Sequence, residues 1–234
     1  MLRIRKVLKG AHMSLVKKRI LCFGDSNTWG YNPNEANPVT GAIARYPEHV
    51  RWTSVMQDVL GDEYKVLEEG YCGRTTVFED PLAVGRNGFS TLEVMFSTCD
   101  PVDLIIIMLG TNDCKDMFCA SPYVISQGLF RTVCEFRDLM KYSNSPDAKI
   151  MIVNPPRLTP CGDGSFAYGF SQESVKKSVE LKEYYSQLAV DTGCEFFDAD
   201  TLAAFDPIDG THLTAEGHGK LGRALAEKVK SILG

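Results

Sequence analysis

Val102-Asp103-Leu104-Ile105-Ile106-Ile107-Met108-Leu109-Gly110-Thr111-Asn112-Asp113 is the stretch that decides the fold. A strand covered on one face alternates apolar with polar residues, whereas Leu104 to Leu109 are apolar without a break. Such a run needs cover on both faces, the situation of a central strand in a parallel sheet. It is far shorter than the ~20 residues that span a bilayer. At Gly110 the apolar run ends, and Thr111, Asn112 and Asp113 supply the polar chemistry of a turn.

Outward from this strand the chain alternates strand and helix. Toward the N-terminus, Lys18–Gly24 reads as a buried strand ending in Gly24-Asp25-Ser26-Asn27, followed by a loop rich in Asn and Pro over 27–47. A helical pattern then runs through Trp52, Val55, Met56, Val59 and Leu60, with His49 at its start. Tyr64–Leu67 is a second strand, and Phe89–Cys99 a helix. Toward the C-terminus, residues 121–142 place Val124, Leu129, Val133, Phe136 and Met140 on one helical stripe, and Lys149–Val153 is the fourth strand. Pro155-Pro156 opens a loop to about Gly169 that carries Phe166, Tyr168 and Phe170, suited to a lid or a subunit contact. A helix over Ser171–Asp191, a strand over Glu195–Asp198 and a last helix capped by Thr214 and running to Ile232 complete the order. The expected fold is α/β, a three-layer sandwich with a five-stranded parallel sheet.

The totals narrow the class of function. At 234 residues, 44% hydrophobic and 24% charged, the chain can bury a core without disulfides or metals. A formal charge of −5 argues against a nucleic-acid partner, and the absence of a long apolar run against a membrane. Eight irregularly spaced cysteines contain no C-x-x-C pair, which points to reduced thiols and the cytoplasm. Residues 1–12 lack the apolar core of a secretory signal. Gly10-Ala11-His12-Met13 reads as an expression-vector remnant, with 13–234 as one domain.

In open α/β sheets, ligands bind beyond the carboxyl ends of the strands. Four polar stretches fall there: Ser26 after the first strand, Gly73 after the second, Asn112 after the third, and Asp209-Gly210-Thr211-His212 beyond the fifth. Serine needs a base, and that base needs a third group to orient it. His212, three residues from Asp209, can be that base, and Asp209 can fix its tautomer. The backbone N–H groups of Ser26 and Gly73 and the side-chain amide of Asn112 are candidate donors for an oxyanion. Asp25, Trp29 and Thr111 are expected to border the substrate, Trp29 as a wall of the acyl pocket; Asp25 and Asp113 also suit a role holding backbone donors. Taken singly, Ser26 and Asn112 could be helix caps, Gly73 a plain turn and the 209–212 segment a surface loop. Convergence on one sheet edge is what turns them into a site for small-molecule ester cleavage.

Other motifs fail on context. Gly217-His218-Gly219-Lys220-Leu221-Gly222 fits G-x-G-x-x-G but lies inside a helix pattern, so a dinucleotide is not implied. There is no G-x-S-x-G and no cluster with metal-ligand spacing. A flavodoxin-like binding module, with Asn27-Thr28 and nearby amides on a phosphate, is the competing class; it leaves Asp209 and His212 unexplained.

Gly24-Asp25-Ser26-Asn27, Gly70-Tyr71-Cys72-Gly73-Arg74-Thr75-Thr76, Gly110-Thr111-Asn112-Asp113 and Asp209-x-x-His212 resemble, in order, the blocks of the GDSL/SGNH hydrolase family. The closest likeness is to its bacterial arylesterase/acyltransferase group. That resemblance implies Ser26 as nucleophile, Gly73 and Asn112 as oxyanion donors, and Asp209 with His212 completing a triad. It also implies a flavodoxin-like sheet, no cofactor, short-chain acyl esters as substrates, transfer to alcohols or peroxide, and a homo-oligomer. A carbohydrate-directed deacetylase of the same fold is the alternative. Glu68 stands where many members have Asn, and a known acyltransferase of the group has Ala in place of Gly73, so transfer and hydrolysis both remain open.

Overall fold

The computed structural model describes residues 17–37 and 40–234; the reading of residues 1–12 as a vector remnant lies outside them. Five strands, β1 (Lys18–Gly24), β2 (Tyr64–Gly70), β3 (Leu104–Met108), β4 (Lys149–Asn154) and β5 (Glu195–Asp198), form one all-parallel sheet in the order β2-β1-β3-β4-β5. The unbroken apolar run of β3 sits at the centre, every residue at most 1% exposed. Edge strands β2 and β5 are only half-buried along most of their length, as expected where a single neighbour covers each.

Helices α1 (Ser26–Trp29), α2 (Trp52–Leu60), α3 (Gly88–Cys99), α4 (Pro122–Lys141), α5 (Gln172–Thr192) and α6 (Ala215–Leu233) fill the crossovers. α2 packs with α6, and α3 and α5 flank α4, covering the two faces. Their ends carry their own signals. Ser121 accepts from Val124 N–H with Pro122 in the first turn, Ser171 forms a capping box with Ser174, and Thr214 accepts from Gly217 N–H. Gly222 lets α6 close on α2: a Cβ there would lie 2.5 Å from the Trp52 carbonyl oxygen. Close packing, rather than a dinucleotide, accounts for Gly222.

Two local expectations are corrected. Val124 is 44% exposed, because the buried stripe of α4 starts at Ile125 and continues through Leu129, Val133, Phe136 and Met140, which turns Val124 to the outer face. His49 does not begin a helix; it lies in the preceding turn at φ +66°, its Nδ1 2.7 Å from Asp58 Oδ2. Among the described residues, no helix is long and apolar enough to cross a membrane.

His218 is a buried histidine spent on structure. Its Nδ1 accepts from Trp52 N–H at 3.2 Å and the Tyr46 ring packs edge-on at 5.2 Å. Burial first, then the nearby His212 and Arg51, pushes its pKa down to about 3. The unfolded chain therefore takes up a proton near the ordinary histidine value that the folded chain refuses. Stability from this group is intact above about pH 6.5 and is lost as pH falls toward 3. Between pH 6.5 and 5 the expected loss is about 2 kcal/mol. Unfolding free energies from urea titration at the two pH values should differ less in His218→Gln than in wild type by that amount; an equal pH dependence in both would contradict it.

Candidate active site

Between β1 and β3 the chain changes direction of winding, opening a crevice at their carboxyl ends. Asp25 caps α1 by accepting from Asn27 N–H at 2.9 Å, and Gly30 ends this single turn in the left-handed region. Ser26 is thus the first residue of a helix fixed at both ends. Its backbone N–H makes no hydrogen bond among the described residues. Gly70 lets the end of β2 press against this turn; a Cβ there would come within 2.1 Å of Trp29 N.

His212 arrives from 186 residues away. Its Nε2 lies 2.8 Å from Ser26 Oγ, and its Nδ1 2.6 Å from Asp209 Oδ2. A carboxylate only accepts, so Nδ1 carries the proton and Nε2 is free to accept from the serine hydroxyl. The other Asp209 oxygen accepts from Thr211 N–H and His212 N–H, both at 3.0 Å, which sets the loop around the imidazole. Asn27 then ties this loop to the serine turn, donating to Thr211 O at 3.1 Å and accepting from Leu213 N–H at 2.9 Å. Tyr31 stacks on the imidazole at 4.1 Å and Tyr168 meets it edge-on at 5.7 Å.

The remaining two loops are stitched to the same edge. Arg74 donates to Gly24 O at 2.7 Å and to Glu69 O, joining the ends of β1 and β2. Its guanidinium lies 4.4 Å from the Phe23 ring centre, and burial lowers its pKa to about 10. Asp113 accepts from Thr76 N–H and Oγ1, and Asn112 Nδ2 donates to Arg74 O at 3.2 Å, leaving its second N–H available. Burial raises the pKa of Asp25 and of Asp113 to about 6; the Asn27 N–H opposes this at Asp25 and Thr76 at Asp113.

Ser26, Gly73, Asn112 and His212 line one cleft of about 190 Å³, together with Tyr31, Cys72, Tyr168 and Phe170. Arg86, Lys115 and Asp80 give it a charged rim. Cys72 is no competing nucleophile: burial pushes its thiol up to about 11, so it is protonated at neutral pH. The arrangement can activate a hydroxyl, receive its proton and offer three N–H donors to a developing oxyanion.

The structure brings Ser26, Gly73, Asn112, Asp209 and His212 together. The three side chains expected to border substrate do not line the cleft. Asp25 and Thr111 are buried, at 1% and 2% exposure. Trp29 turns its backbone toward Gly70 and its ring to the Arg45 guanidinium, 5.2 Å from the ring centre. Tyr31, Cys72, Arg86 and Lys115 carried no sequence signal for a place in the cleft. Tyr168 and Phe170 stood out only as aromatics of the 155–170 loop, which here forms one wall of the cleft. Among the described residues, no group of three His, Cys, Asp or Glu could hold a metal ion.

The profile of the GDSL-like lipase/acylhydrolase family matches residues 22–220, and the chain belongs to that family. A search of curated proteins found no significant match. Among solved structures, the aryl esterase of M. smegmatis is similar at 39% identity and a TM-score of 0.86, covering 92% of this chain and 100% of that one. A carbohydrate acetylesterase from Sinorhizobium meliloti is similar at 38% identity and a TM-score of 0.83, covering 93% and 100%. The protein is an SGNH-type ester hydrolase.

Proposed function

We propose that the protein cleaves short-chain acyl esters, acetyl esters above all, through an acyl-enzyme on Ser26. One observation carries the reading: an unbroken relay of 2.8 Å and 2.6 Å from Ser26 through His212 to Asp209, opening into a cleft shared with Gly73 and Asn112. Ser26 Oγ attacks the ester carbonyl while His212 Nε2 takes its proton. The carbonyl oxygen becomes an oxyanion held by the N–H groups of Ser26 and Gly73 and by Asn112 Nδ2. His212 returns the proton to the leaving alcohol, and water or a second alcohol then takes the acyl group by the same steps in reverse. Asp209 keeps the imidazole in its tautomer and stabilises the imidazolium. The small cleft, walled by Tyr31, Tyr168 and Phe170, supports a short acyl chain. Eight free thiols, three of them buried in the core at Cys22, Cys99 and Cys114, favour a reducing compartment such as the cytoplasm.

A second reading is favoured by the charged rim. Asp80 and Lys115 can hydrogen-bond hydroxyls of a sugar alcohol, and one similar structure is a carbohydrate acetylesterase. A panel of p-nitrophenyl esters from acetate to octanoate, run beside an acetylated xylose oligomer and with a competing alcohol, tests both. Short-chain specificity predicts kcat/KM highest for acetate and at least about tenfold lower for octanoate, since a single methylene that a hydrophobic pocket cannot accommodate costs about 1–3 kcal/mol. A profile that rises with chain length contradicts it. Faster acetate release from the sugar than from the aryl ester selects the second reading.

A further inference from the structure

The donor at Gly73 sits on a peptide with two possible orientations. Arg74 N–H donates to Tyr71 O at 3.0 Å, closing a four-residue turn with Cys72 and Gly73 at its centre. Gly73 has φ +80° while Cys72 stays at negative φ, which makes this a type II turn. Types I and II share their end residues and differ by turning the central peptide over, so that its N–H and C=O exchange sides. Only glycine takes the type II position without strain. Flipped to type I, the same peptide would present the Cys72 carbonyl where the Gly73 N–H now lies, and would repel an oxyanion instead of binding it.

We infer that Arg86 is a positioning residue that latches this peptide in its oxyanion-binding orientation. Its Nη1 donates to the Cys72 carbonyl oxygen, and a trans peptide carries that oxygen and the Gly73 N–H on opposite sides. Gly73 N–H has no acceptor among the described residues, so it is free for a ligand in the cleft it lines. The guanidinium is held in turn: the Tyr71 ring lies 4.6 Å from it, and a Cβ on Gly73 would meet Arg86 Cδ and Nε at 3.2 Å. The Arg86 backbone is pinned to the same block, its carbonyl accepting from Thr75 N–H at 2.9 Å and from Thr75 Oγ1 at 3.2 Å. Among the described residues, Arg86 forms no ion pair with a carboxylate. Its charge is therefore committed to the peptide, where a cation on the carbonyl also polarises the amide and strengthens its N–H as a donor. The inference rests on the reading of Gly73 N–H as an oxyanion donor.

Arg86→Ala and Arg86→Lys are to be compared with wild type and Ser26→Ala, using p-nitrophenyl acetate turnover and inhibition by phenylboronic acid, which forms a tetrahedral adduct with a serine hydroxyl. In Arg86→Ala, kcat should fall about 30- to 300-fold with KM within about twofold, somewhat less than the roughly 10²- to 10³-fold cost of removing one oxyanion donor outright. Boronate affinity should fall in step with kcat/KM, and millimolar guanidinium should restore part of the rate. Arg86→Lys should lie between Ala and wild type, and it serves as the test should the alanine variant fail to fold. A loss confined to KM would make Arg86 a substrate contact and overturn the inference, as would unchanged kcat or boronate affinity that does not follow the rate. A wild type without esterase activity would instead sink the proposed function, whereas active wild type, inactive Ser26→Ala and unaffected Arg86→Ala would sink only the latch.

Discussion

Ser26→Ala should lower kcat for p-nitrophenyl acetate by about 10⁴-fold or more, and His212→Ala should lower it by a similar amount. The reason is geometric. Among the described residues, Ser26 Oγ has one base within reach, His212 Nε2 at 2.8 Å, and both groups are buried where they line the cleft. Without the base, the hydroxyl stays protonated and the alcohol leaves without a proton; without the hydroxyl, no covalent intermediate forms. Either loss breaks the same relay, so the double variant should be little worse than either single one, the non-additivity of residues that act as a unit. Binding and the remaining donors at Gly73 and Asn112 should leave a small residual rate. Equal KM in the variants, with the fold checked by thermal midpoint, separates lost chemistry from lost structure. A Ser26→Ala enzyme within tenfold of wild type would refute the assignment.

Asp209→Asn should reduce kcat about 10³- to 10⁴-fold although the substitution keeps the shape of the side chain. Asp209 Oδ2 accepts from His212 Nδ1 at 2.6 Å, and its other oxygen accepts from the N–H groups of Thr211 and His212. An asparagine oxygen can still hold those two backbone donors, so the loop should keep its place. Its amide then faces Nδ1 as a donor, which shifts the imidazole proton to Nε2, and the nitrogen facing Ser26 can no longer accept. Geometry would be kept while the tautomer is wrong. The stopped-flow acylation rate checks this: it should slow with kcat. A loss appearing only in KM would point to a structural role for Asp209.

The β3 run and the glycine-terminated β1 were legible because burial on both faces leaves an unbroken apolar signature in sequence. Strand order follows from chain connectivity far less directly, yet alternation of strand and helix was enough to place Ser26, Gly73, Asn112 and His212 on one edge. Trp29 shows what proximity along the chain does not tell. It lies three residues from Ser26, but its ring packs on Arg45, whose Nε also donates to the Trp29 carbonyl at 2.6 Å. Tyr31 and Arg86 escaped notice because their roles are set by tertiary contacts: a ring stacked on His212, and a guanidinium on the Cys72 carbonyl. Asn27 was visible as part of a motif. Its clasp on Thr211 and Leu213, which binds the nucleophile turn to the histidine loop, could be read only from coordinates.

The most direct measurement is the site of covalent capture. The purified protein is treated with a serine-directed organophosphate ester, digested, and mapped by tandem mass spectrometry. One adduct on the peptide containing Ser26 is expected, with loss of esterase activity in proportion to its occupancy and strongly slowed labelling in His212→Ala. An adduct on another residue that accounts for the lost activity, or full activity with Ser26 fully modified, would contradict the relay of Ser26, His212 and Asp209.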